Sequence, residues 1–352
     1  MTLLQSVAAA SASLGRREIL IGGASLSLAA CARSPLMTVS HTPQLDMKGL
    51  EAGVAKIAVR AAPGILGFAL RNLESGQVWV RLGEHPFPMQ SVFKLALGAA
   101  VLSEIDAGRL QLNEVFSIPS EALSPPWSPI AEAWPGQTSY ALLDLLTAAV
   151  ANSDNTAADL LMKRIGGPGA VSAWLRSKTV DEVRVDRYER EIQPAVYGMA
   201  SFRPAWKGQA AFNAAKATVP PGQRHAAMLA YMADPRDTST PRGMLGFLRK
   251  LDDRELLSEA STRRLLGIMS DRVRISDRLK AGLPKDAIFA HKSGTSGTDQ
   301  GLTAAFNDVG IFTLADKRRY AIAAFLSGST APQKDRADLF ADLARLSVRS
   351  IG

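Results

Sequence analysis

Segments with the alternating pattern of β-strands lie near both ends of this 352-residue chain, and the long stretch between them has a helical apolar pattern. The strand-like segments are residues 64–74, 77–82, 286–294, 303–314 and 319–328. A Ser75-Gly76 turn joins the first two and residues 315–318 join the last two, so we expect two hairpins. Because strands at both ends of the chain must bury their apolar faces, we expect one five-stranded antiparallel sheet.

Helical patterns complete the expected architecture. Residues 47–61 and 337–348 predict terminal helices that flank the sheet. The predicted fold class is α/β (α+β) with two lobes and a functional cleft between them. The predicted lobes are a sheet lobe, residues 46–86 and 285–350, and an all-helical lobe, residues 87–284, which together form a single domain, residues 46–350.

The first 45 residues have the pattern of an export signal followed by a tether. The apolar residues 18–31 follow Arg16-Arg17, similar to a twin-arginine signal, and have the length of a signal-peptide core rather than of a membrane span. Their end, Leu-Ala-Ala-Cys31, contains the only cysteine and resembles a bacterial lipobox, where the cysteine is lipidated. We expect a signal peptide, residues 1–30, and a tether, residues 31–45, that anchors the protein to a membrane in the periplasm. The alternative is an ordinary signal peptide with an accidental cysteine.

The composition excludes several classes of protein. One cysteine rules out a disulfide framework and a Cys-rich zinc module, and the four histidines are scattered without metal-binding spacing. We therefore expect no metal and no other cofactor. The formal net charge is +8, but the lysines and arginines are spread along the chain and form no basic helix. We expect a solvated basic surface, no nucleic-acid partner, and a monomer.

Three short motifs carry the chemistry. Ser91-Val92-Phe93-Lys94 opens a helical run, which places a hydroxyl and an amine one turn apart on the same face. A lysine beside a serine in a desolvated cleft can lose its charge and accept the hydroxyl proton. Ser153-Asp154-Asn155 lies at a corner between helical segments, and Lys292-Ser293-Gly294 lies on a predicted strand. An S-x-x-K occurs by chance about once in a chain of this length, but the three motifs together are a strong signal.

The three motifs resemble the signature of class A serine β-lactamases and penicillin-binding proteins, and the resemblance covers residues 45–350. Two further segments favour the β-lactamases. Residues 187–193, RYEREIQ, are similar to the omega-loop motif R-x-E-x-E-L-N, and residues 234–241 are similar to the end of that loop. Trp127-Ser128-Pro129 fits the place where the family has an aromatic side chain at the mouth of the cleft, although aromatic residues are also common in protein cores.

The resemblance implies a serine acyl-enzyme mechanism. Ser91 would attack the lactam carbonyl, and Lys94, or Glu189 through a water, would take its proton. Ser153 would protonate the leaving nitrogen, and Glu189 would activate the water that hydrolyses the acyl-enzyme. The backbone N–H groups of Ser91 and Thr295 would form the oxyanion hole. The other implied contacts are Asn155 with the side-chain amide of the substrate, Lys292 and Ser293 with its carboxylate, Gly294 where the substrate approaches the strand, Trp127 at the mouth of the cleft, and Arg187 with Asp237 across the base of the loop.

The sequence departs from the family pattern in three places. Gln193 stands where the family has an asparagine that helps Glu189 to hold the deacylating water. The usual arginine after the K-[ST]-G strand is missing, and we expect Arg278 to supply that charge. In an extended omega loop, residues 187–240, an insert of residues 194–233 replaces a handful of residues. The insert would be either a lid or altered wall of the active site, or a surface flap packed on its own aromatic side chains.

The resemblance implies that the protein hydrolyses penicillins and cephalosporins and so confers resistance to them. Two alternatives stay open: a penicillin-binding D-Ala-D-Ala peptidase, and a lipoprotein sensor that stays acylated by the β-lactam. Glu189 argues against the peptidase, because the resembling peptidases deacylate without such a base. Gln193 and the long insert leave the sensor open. The lifetime of the acyl adduct distinguishes the three.

Overall fold

A central sheet with helices on both faces organises the structure. The computed structural model describes residues 44–271 and 277–352, apart from the side chain of Asp271. The predicted signal peptide, Cys31 and nearly all of the predicted tether lie outside the described residues. The described strands, numbered in chain order, are β1 Ile65–Asn72, β2 Val78–Arg81, β3 Phe87–Pro88, β4 Val115–Ser117, β5 Ser139–Ala141, β6 Thr238–Ser239, β7 Ile288–Thr295, β8 Thr298–Asp299, β9 Leu302–Thr313 and β10 Arg319–Ser329.

Helices make up most of the rest of the described chain. The α-helices are α1 Met47–Ala61, α2 Phe93–Asp106, α3 Pro129–Ala133, α4 Leu142–Val150, α5 Asn155–Arg164, α6 Pro168–Ser177, α7 Glu189–Val196, α8 Gln209–Ala217, α9 Pro221–Ala233, α10 Pro241–Asp252, α11 Glu259–Asp271, α12 Leu279–Gly282 and α13 Gln333–Arg349. Short 3-10 helices are found at Gln90–Val92, Ser120–Ala122 and Pro204–Trp206. None of the described helices is long and apolar enough to cross a lipid bilayer.

The main sheet is antiparallel, with strand order β2-β1-β10-β9-β7, and the short β8 pairs with β9. The N-terminal hairpin joins the C-terminal strands through β1 and β10, where Ile65 lies opposite Ser327. β7 is the edge strand of this order, and its Lys292 lies opposite Val309 of β9. The expected five-stranded sheet is confirmed. The sequence did not predict β8, because two residues are too few to show an alternating pattern.

Apolar side chains pack on both faces of the sheet. One face is covered by α1 and α13, in a core that contains Phe68, Phe306 and Phe340. On the other face, α10, which the sequence analysis placed in the helical lobe, lies directly against β1 and β10. In the helical region, residues 93–102 of α2 are all buried, as expected for a helix that is apolar on every side. This buried helix fixes the position of the S-x-x-K motif.

The insert of residues 194–233 is mostly helical. It contains the end of α7 and all of α8 and α9. α9 begins at Pro221, whose fixed φ suits the first turn of a helix. Tyr197, Phe212 and Tyr231 of the insert are buried in the same core as α2. The insert is therefore part of the helical region and not a flap packed only on its own aromatic residues.

Candidate active site

Ser91 lies in the 3-10 turn that directly precedes α2. The segment before it is held against the sheet by Asn307 of β9, whose Nδ2 donates to the carbonyl oxygens of Pro88 (2.9 Å) and Met89 (3.0 Å). Gly294 of β7 permits this close approach, because a Cβ at that position would lie 2.4 Å from the Met89 carbonyl oxygen. The Ser91 hydroxyl is thus fixed between the helical region and the edge of the sheet.

Lys94, in the first turn of α2, links the S-x-x-K and S-D-N motifs to Glu189 of the omega loop. Its Nζ lies 3.1 Å from Ser91 Oγ and 2.8 Å from Glu189 Oε1. The same Nζ donates to the carbonyl oxygen of Ser153, at 2.8 Å, and to Asn155 Oδ1. Lys94 and Glu189 are both buried, so their attraction is little screened by water. A proton leaving Ser91 can go to Glu189 Oε1, 3.5 Å from the hydroxyl, or to Lys94 once Lys94 has passed a proton of its own to Glu189.

Ser153 and Lys292 meet in the lining of the cleft. Lys292 Nζ donates to Ser153 Oγ at 3.0 Å and to the carbonyl oxygen of Ser293 at 2.9 Å. Burial, and then the positive charges of Lys94 and Arg278, lower the pKa of Lys292 well below its ordinary value. Lys292 can therefore pass a proton to the Ser153 hydroxyl more readily than an exposed lysine could.

The S-D-N corner between α4 and α5 is built around Asp154. This carboxylate caps α5 by accepting from Ala157 N at 2.9 Å, and it also accepts from Ile130 N at 2.8 Å. The following residue, Asn155, uses one amide proton on the Pro125 carbonyl oxygen, at 3.1 Å, which leaves the second available to a ligand. Trp127 is 48% exposed and lines the cleft, so the interpretation of Trp127 as a core residue is wrong.

Glu189 is the first residue of α7 and is held from two directions. Its backbone N–H donates to Asp159 Oδ1 at 2.7 Å, and its Oε2 accepts from Gln193 Nε2 at 2.8 Å. Gln193 lies one helical turn after Glu189, which is the spacing that brings two side chains together on one face. The longer glutamine therefore does reach the carboxylate that the family's asparagine serves.

Asp159 of α5 anchors the start of α7. Besides Glu189 N, it accepts from Arg190 N at 3.0 Å and from Ser124 Oγ at 2.7 Å. Burial raises the pKa of Asp159 to about 7, and the nearby Glu189 carboxylate adds to the rise. Asp159 is thus a buried carboxyl group whose pKa lies near neutral pH, and it is hydrogen-bonded to the backbone N–H of Glu189.

The titration of Asp159 has a consequence for stability. Because its pKa is higher in the folded protein than in the unfolded chain, the folded state binds the proton more tightly. We expect the free energy of unfolding to fall as the pH rises from about 4 to about 7 through this group, and Asp159→Asn to flatten that slope. Denaturant unfolding of both proteins at several pH values measures the effect. An unchanged slope in the variant would contradict the assignment.

The backbone N–H of Thr295 points away from the sheet. Ser296 N donates to the Ala305 carbonyl oxygen of β9 at 3.1 Å. Since successive residues of a strand direct their N–H groups to opposite sides, that of Thr295 is directed to the free edge of β7. A Cβ placed on Gly294 would lie 3.2 Å from Ser91 N, so the two backbone segments are in contact. The geometry fits the oxyanion hole expected from Ser91 and Thr295.

These groups surround one cleft of about 330 Å³, within the range of small-molecule sites. The predicted residues that line it are Ser91, Trp127, Ser153, Asn155, Gln193, Lys292, Ser293, Gly294 and Thr295. Two other predicted residues, Lys94 and Glu189, are buried beneath the residues that line the cleft, and both contact Ser91. Within the described ranges, no group of three His, Cys, Asp or Glu side chains is arranged to hold a metal.

Comparison with known proteins identifies the family. A model of the family described as Beta-lactamase enzyme family matches residues 49–351. The chain belongs to this β-lactamase family. Beta-lactamase VEB-1 of Pseudomonas aeruginosa is 30% identical over 292 residues, which cover 82% of this chain and 86% of that protein. Extended-spectrum beta-lactamase PER-1 of the same organism is 32% identical over 265 residues, which cover 75% of each protein.

Solved structures place the β-lactamase in class A. A β-lactamase from Chitinophaga pinensis superposes with a TM-score of 0.71 at 33% identity, and the match covers 84% of this chain and 97% of that one. An ancestral class A β-lactamase superposes with a TM-score of 0.69 at 30% identity, covering 85% of this chain and 99% of that one. The fold class expected from the order of strand and helix patterns is therefore confirmed.

The omega loop of this β-lactamase is closed at its base by the expected ion pair. Arg187 Nε donates to Asp237 Oδ2 at 2.6 Å, and Asp237 Oδ1 accepts from the backbone N–H groups of Asp186 (2.7 Å) and Arg187 (3.0 Å). A second carboxylate, Asp234, lies 3.4 Å from Arg187 Nη1. The pair joins the two ends of the long loop, so the start of the loop, which contains Glu189, is tied to its end.

Arg278 reaches the predicted strand but lies behind it. Its guanidinium donates to the carbonyl oxygens of Gly294 (3.1 Å) and Asn307 (2.6 Å) and to Thr295 Oγ1, and it stacks 3.7 Å from the centre of the Phe306 ring. Burial lowers the pKa of Arg278 to about 10, so the side chain stays positive at neutral pH. Its charge acts on the cleft through the Thr295 hydroxyl, because Arg278 itself is absent from the cleft lining.

The insert of this β-lactamase supports the site from behind. Apart from Gln193, which precedes it, no described residue of the omega loop lines the cleft, so the insert is not a lid in this structure. Tyr197 OH donates to the Ser296 carbonyl oxygen at 2.5 Å, and Arg224 pairs with Asp299 at 2.8 Å. The insert is therefore fastened to the segment that follows β7, at Ser296 and at Asp299 of β8.

Several supporting residues were missed by the sequence analysis. Asn307 holds the segment before Ser91, and its neighbour Asp308 lies 2.7 Å from Nδ1 of His291. The two polar residues interrupt the apolar pattern of β9, a signal that could have marked them as buried and paired. Asp159 is likewise a single acid among apolar residues of α5. No local signal indicates that Tyr231 approaches the site.

Proposed function

We propose that this protein hydrolyses penicillins and cephalosporins through an acyl-enzyme on Ser91, and so confers resistance to β-lactams. The observation that carries the proposal is the convergence on Lys94 Nζ, which lies 3.1 Å from Ser91 Oγ and 2.8 Å from Glu189 Oε1. The nucleophile Ser91, the amine of Lys94 and the carboxylate of Glu189, which can activate a water, are thereby in contact at one cleft. Membership of the β-lactamase family supports the substrate class.

In the acylation half, Ser91 Oγ forms a bond to the lactam carbonyl carbon and gives its proton to Lys94 or, through a water, to Glu189. The N–H groups of Ser91 and Thr295 stabilise the oxyanion. The C–N bond of the ring then breaks, and Ser153 gives its proton to the ring nitrogen. Lys292, 3.0 Å from Ser153 Oγ, replaces that proton, and the proton taken from Ser91 passes on to Lys292, so Lys94, Glu189 and Lys292 begin deacylation in their original protonation states. Lys292 and Ser293 also attract the substrate carboxylate.

In the deacylation half, Glu189 takes a proton from a water, whose oxygen bonds to the ester carbon. The ester C–O bond then breaks, and the proton returns to Ser91 Oγ, which restores the enzyme and releases the opened product. Gln193 donates to Glu189 Oε2 and lines the cleft, so it holds the carboxylate that activates the water. This half separates hydrolysis from mere binding.

The test uses the purified protein with benzylpenicillin and with a chromogenic cephalosporin. Ring opening is followed by absorbance, and the intact protein mass is recorded in the same samples. We expect many turnovers per protein molecule with little adduct. One equivalent of ring opening with a persistent adduct would instead support a sensor, and acylation by D-Ala-D-Ala peptides would support a peptidase.

The length of Gln193 gives a further prediction. Its Nε2 donates both to Glu189 Oε2, at 2.8 Å, and to Gln90 Oε1, at 3.0 Å. Asparagine is one methylene shorter and cannot keep both contacts, so we expect Gln193→Asn to slow deacylation about tenfold, the effect of one hydrogen bond. Burst kinetics with a slow cephalosporin measure the deacylation rate. A faster rate in the variant would show that the family's asparagine holds the water better here too.

The leader sequence supports a proposal on location. Residues 1–30 direct export, and Cys31 is lipidated and anchors the mature protein on the periplasmic side of a membrane. In a bacterial host that processes lipoproteins, the protein should incorporate labelled palmitate and fractionate with membranes, and Cys31→Ser should abolish the label. A soluble periplasmic protein without label in both forms would favour an ordinary signal peptide.

A further inference from the structure

A buried chain of polar side chains leads from Glu189 away from the cleft. Glu189 Oε2 accepts from Gln193 Nε2 at 2.8 Å, and the same Nε2 donates to Gln90 Oε1 at 3.0 Å. The chain ends where Gln90 Nε2 donates to Tyr231 OH at 2.7 Å. All four side chains are at least nine-tenths buried. Hydrogen bonds shielded from water in this way are strong and hold their partners in one arrangement.

The charge of Glu189 sets the direction of every bond in this chain. A carboxylate only accepts, so Gln193 must present its amide nitrogen to Glu189. Both protons of that nitrogen are then used, one on Glu189 and one on the carbonyl oxygen of Gln90. Gln90 must therefore turn its own nitrogen toward Tyr231, whose hydroxyl oxygen accepts. Removing that acceptor leaves a buried amide N–H of Gln90 without a partner. The free-energy penalty of such an unpaired buried donor is larger than that of losing a hydrogen bond at the surface.

Tyr231 belongs to α9 of the insert and is held rigidly. Its ring lies 5.9 Å from the Arg187 guanidinium carbon, beside the ion pair that closes the omega loop. Burial, and then the Asp237 charge, raise the pKa of Tyr231, so its hydroxyl stays protonated. The helix itself is also fastened near its start, two turns before the tyrosine, where Arg224 pairs with Asp299 at 2.8 Å. The insert thus presents a fixed hydroxyl to the residue that precedes the nucleophile.

We propose that Tyr231 is a positioning residue for deacylation: through Gln90 and Gln193, its hydroxyl orients the Glu189 carboxylate toward the hydrolytic water. This inference rests on the proposed function. It gives the insert a role in turnover without contact with substrate. Acylation depends less on this chain, because Ser91 is in direct contact with Lys94. Lys94 contacts Glu189 Oε1, whereas the chain contacts Glu189 Oε2.

The test is Tyr231→Phe, which keeps the ring beside Arg187 and removes only the hydroxyl. Acylation is measured by stopped-flow ring opening, and deacylation by the decay of the acyl-enzyme in the intact mass spectrum. We expect the deacylation rate constant to fall about fivefold to tenfold, with the acylation rate constant within about twofold of wild type. The acyl-enzyme should therefore accumulate during turnover. An unchanged ratio of the two rate constants overturns the proposal.

Tyr197→Phe is the matched control. It removes another buried tyrosine hydroxyl of the insert, whose partner is the Ser296 carbonyl oxygen and not Gln90. We expect it to leave the ratio of deacylation to acylation unchanged, whereas an equal fall in both variants would indicate a general loosening of the insert and overturn the proposal. If Tyr231→Phe does not fold, Gln90→Met interrupts the same chain one residue closer to Glu189 and should slow deacylation.

A double-mutant cycle shows whether Tyr231 acts on deacylation through Gln193 or independently of it. Gln193→Leu breaks the chain next to Glu189, so adding Tyr231→Phe to it should slow deacylation no further. Effects that multiply would mean that the two residues act independently, and the inference would be wrong. Wild-type protein that fails to turn over β-lactams would instead contradict the proposed function, which this series therefore tests separately.

Discussion

Replacing Ser91 by alanine should lower kcat for benzylpenicillin by about 10⁶-fold, the scale of losing a catalytic nucleophile. The hydroxyl lies 3.1 Å from Lys94 Nζ and 3.5 Å from Glu189 Oε1, and of the hydroxyls lining the cleft it alone contacts both groups. Without it no acyl-enzyme forms, while the remaining cleft is intact. The measurement is ring opening, together with the intact protein mass after prolonged exposure to the antibiotic.

An adduct on the Ser91→Ala protein would place the nucleophile elsewhere. Two other serines line the same cleft, Ser153 and Ser293, and peptide mapping of the adduct would distinguish them. Ser293→Ala is a useful comparison, because it removes a hydroxyl from the substrate-carboxylate region and not from the Lys94 contact. It should raise KM more than it lowers kcat, and its acyl-enzyme should still form on Ser91.

The parts of the fold that the sequence predicted are those with a local signal. α1 has a clear helical period, and β1 and β2 alternate on either side of a Ser-Gly turn. The structure confirms both the helix and the hairpin. α2 is apolar on all sides, which indicates a central helix. The strands of two residues, β3, β6 and β8, have no period of their own and form only because their neighbours are held in place by the rest of the chain.

The sequence predicted the reacting groups of the site but not the buried residues that hold them in position. The three motifs are short and local, so spacing alone placed Ser91 and Lys94 on one face. By contrast, Gln90 and Tyr231 lie 141 positions apart and meet only after α9 has packed on α7. Arg278 shows an intermediate case, because the resemblance predicted it as the substitute for the arginine missing after the K-[ST]-G strand, whereas its position behind Thr295 required the structure.

Replacing Glu189 by glutamine should leave acylation measurable and slow deacylation by about 10²- to 10⁴-fold, the usual contribution of a general base. Glutamine has the same shape and can keep a contact with Gln193, but it cannot take a proton from water. Lys94 remains 3.1 Å from Ser91 Oγ and can still accept the proton of the nucleophile. The intact mass spectrum should therefore show nearly complete acylation of Ser91 that decays slowly.

The same variant decides between the two proton acceptors proposed for acylation. If Lys94 is the base, the acylation rate should change little, whereas a loss of acylation as large as that of deacylation would make Glu189 the base of both steps. Glu191→Gln is the matched control, because Glu191 is exposed on the same helix and its Oε2 only accepts from Tyr188 N, at 2.8 Å. It should turn over normally. If Glu189→Gln hydrolyses β-lactams as fast as wild type while Glu191→Gln accumulates the adduct, Glu191 and not Glu189 is the base that activates the water.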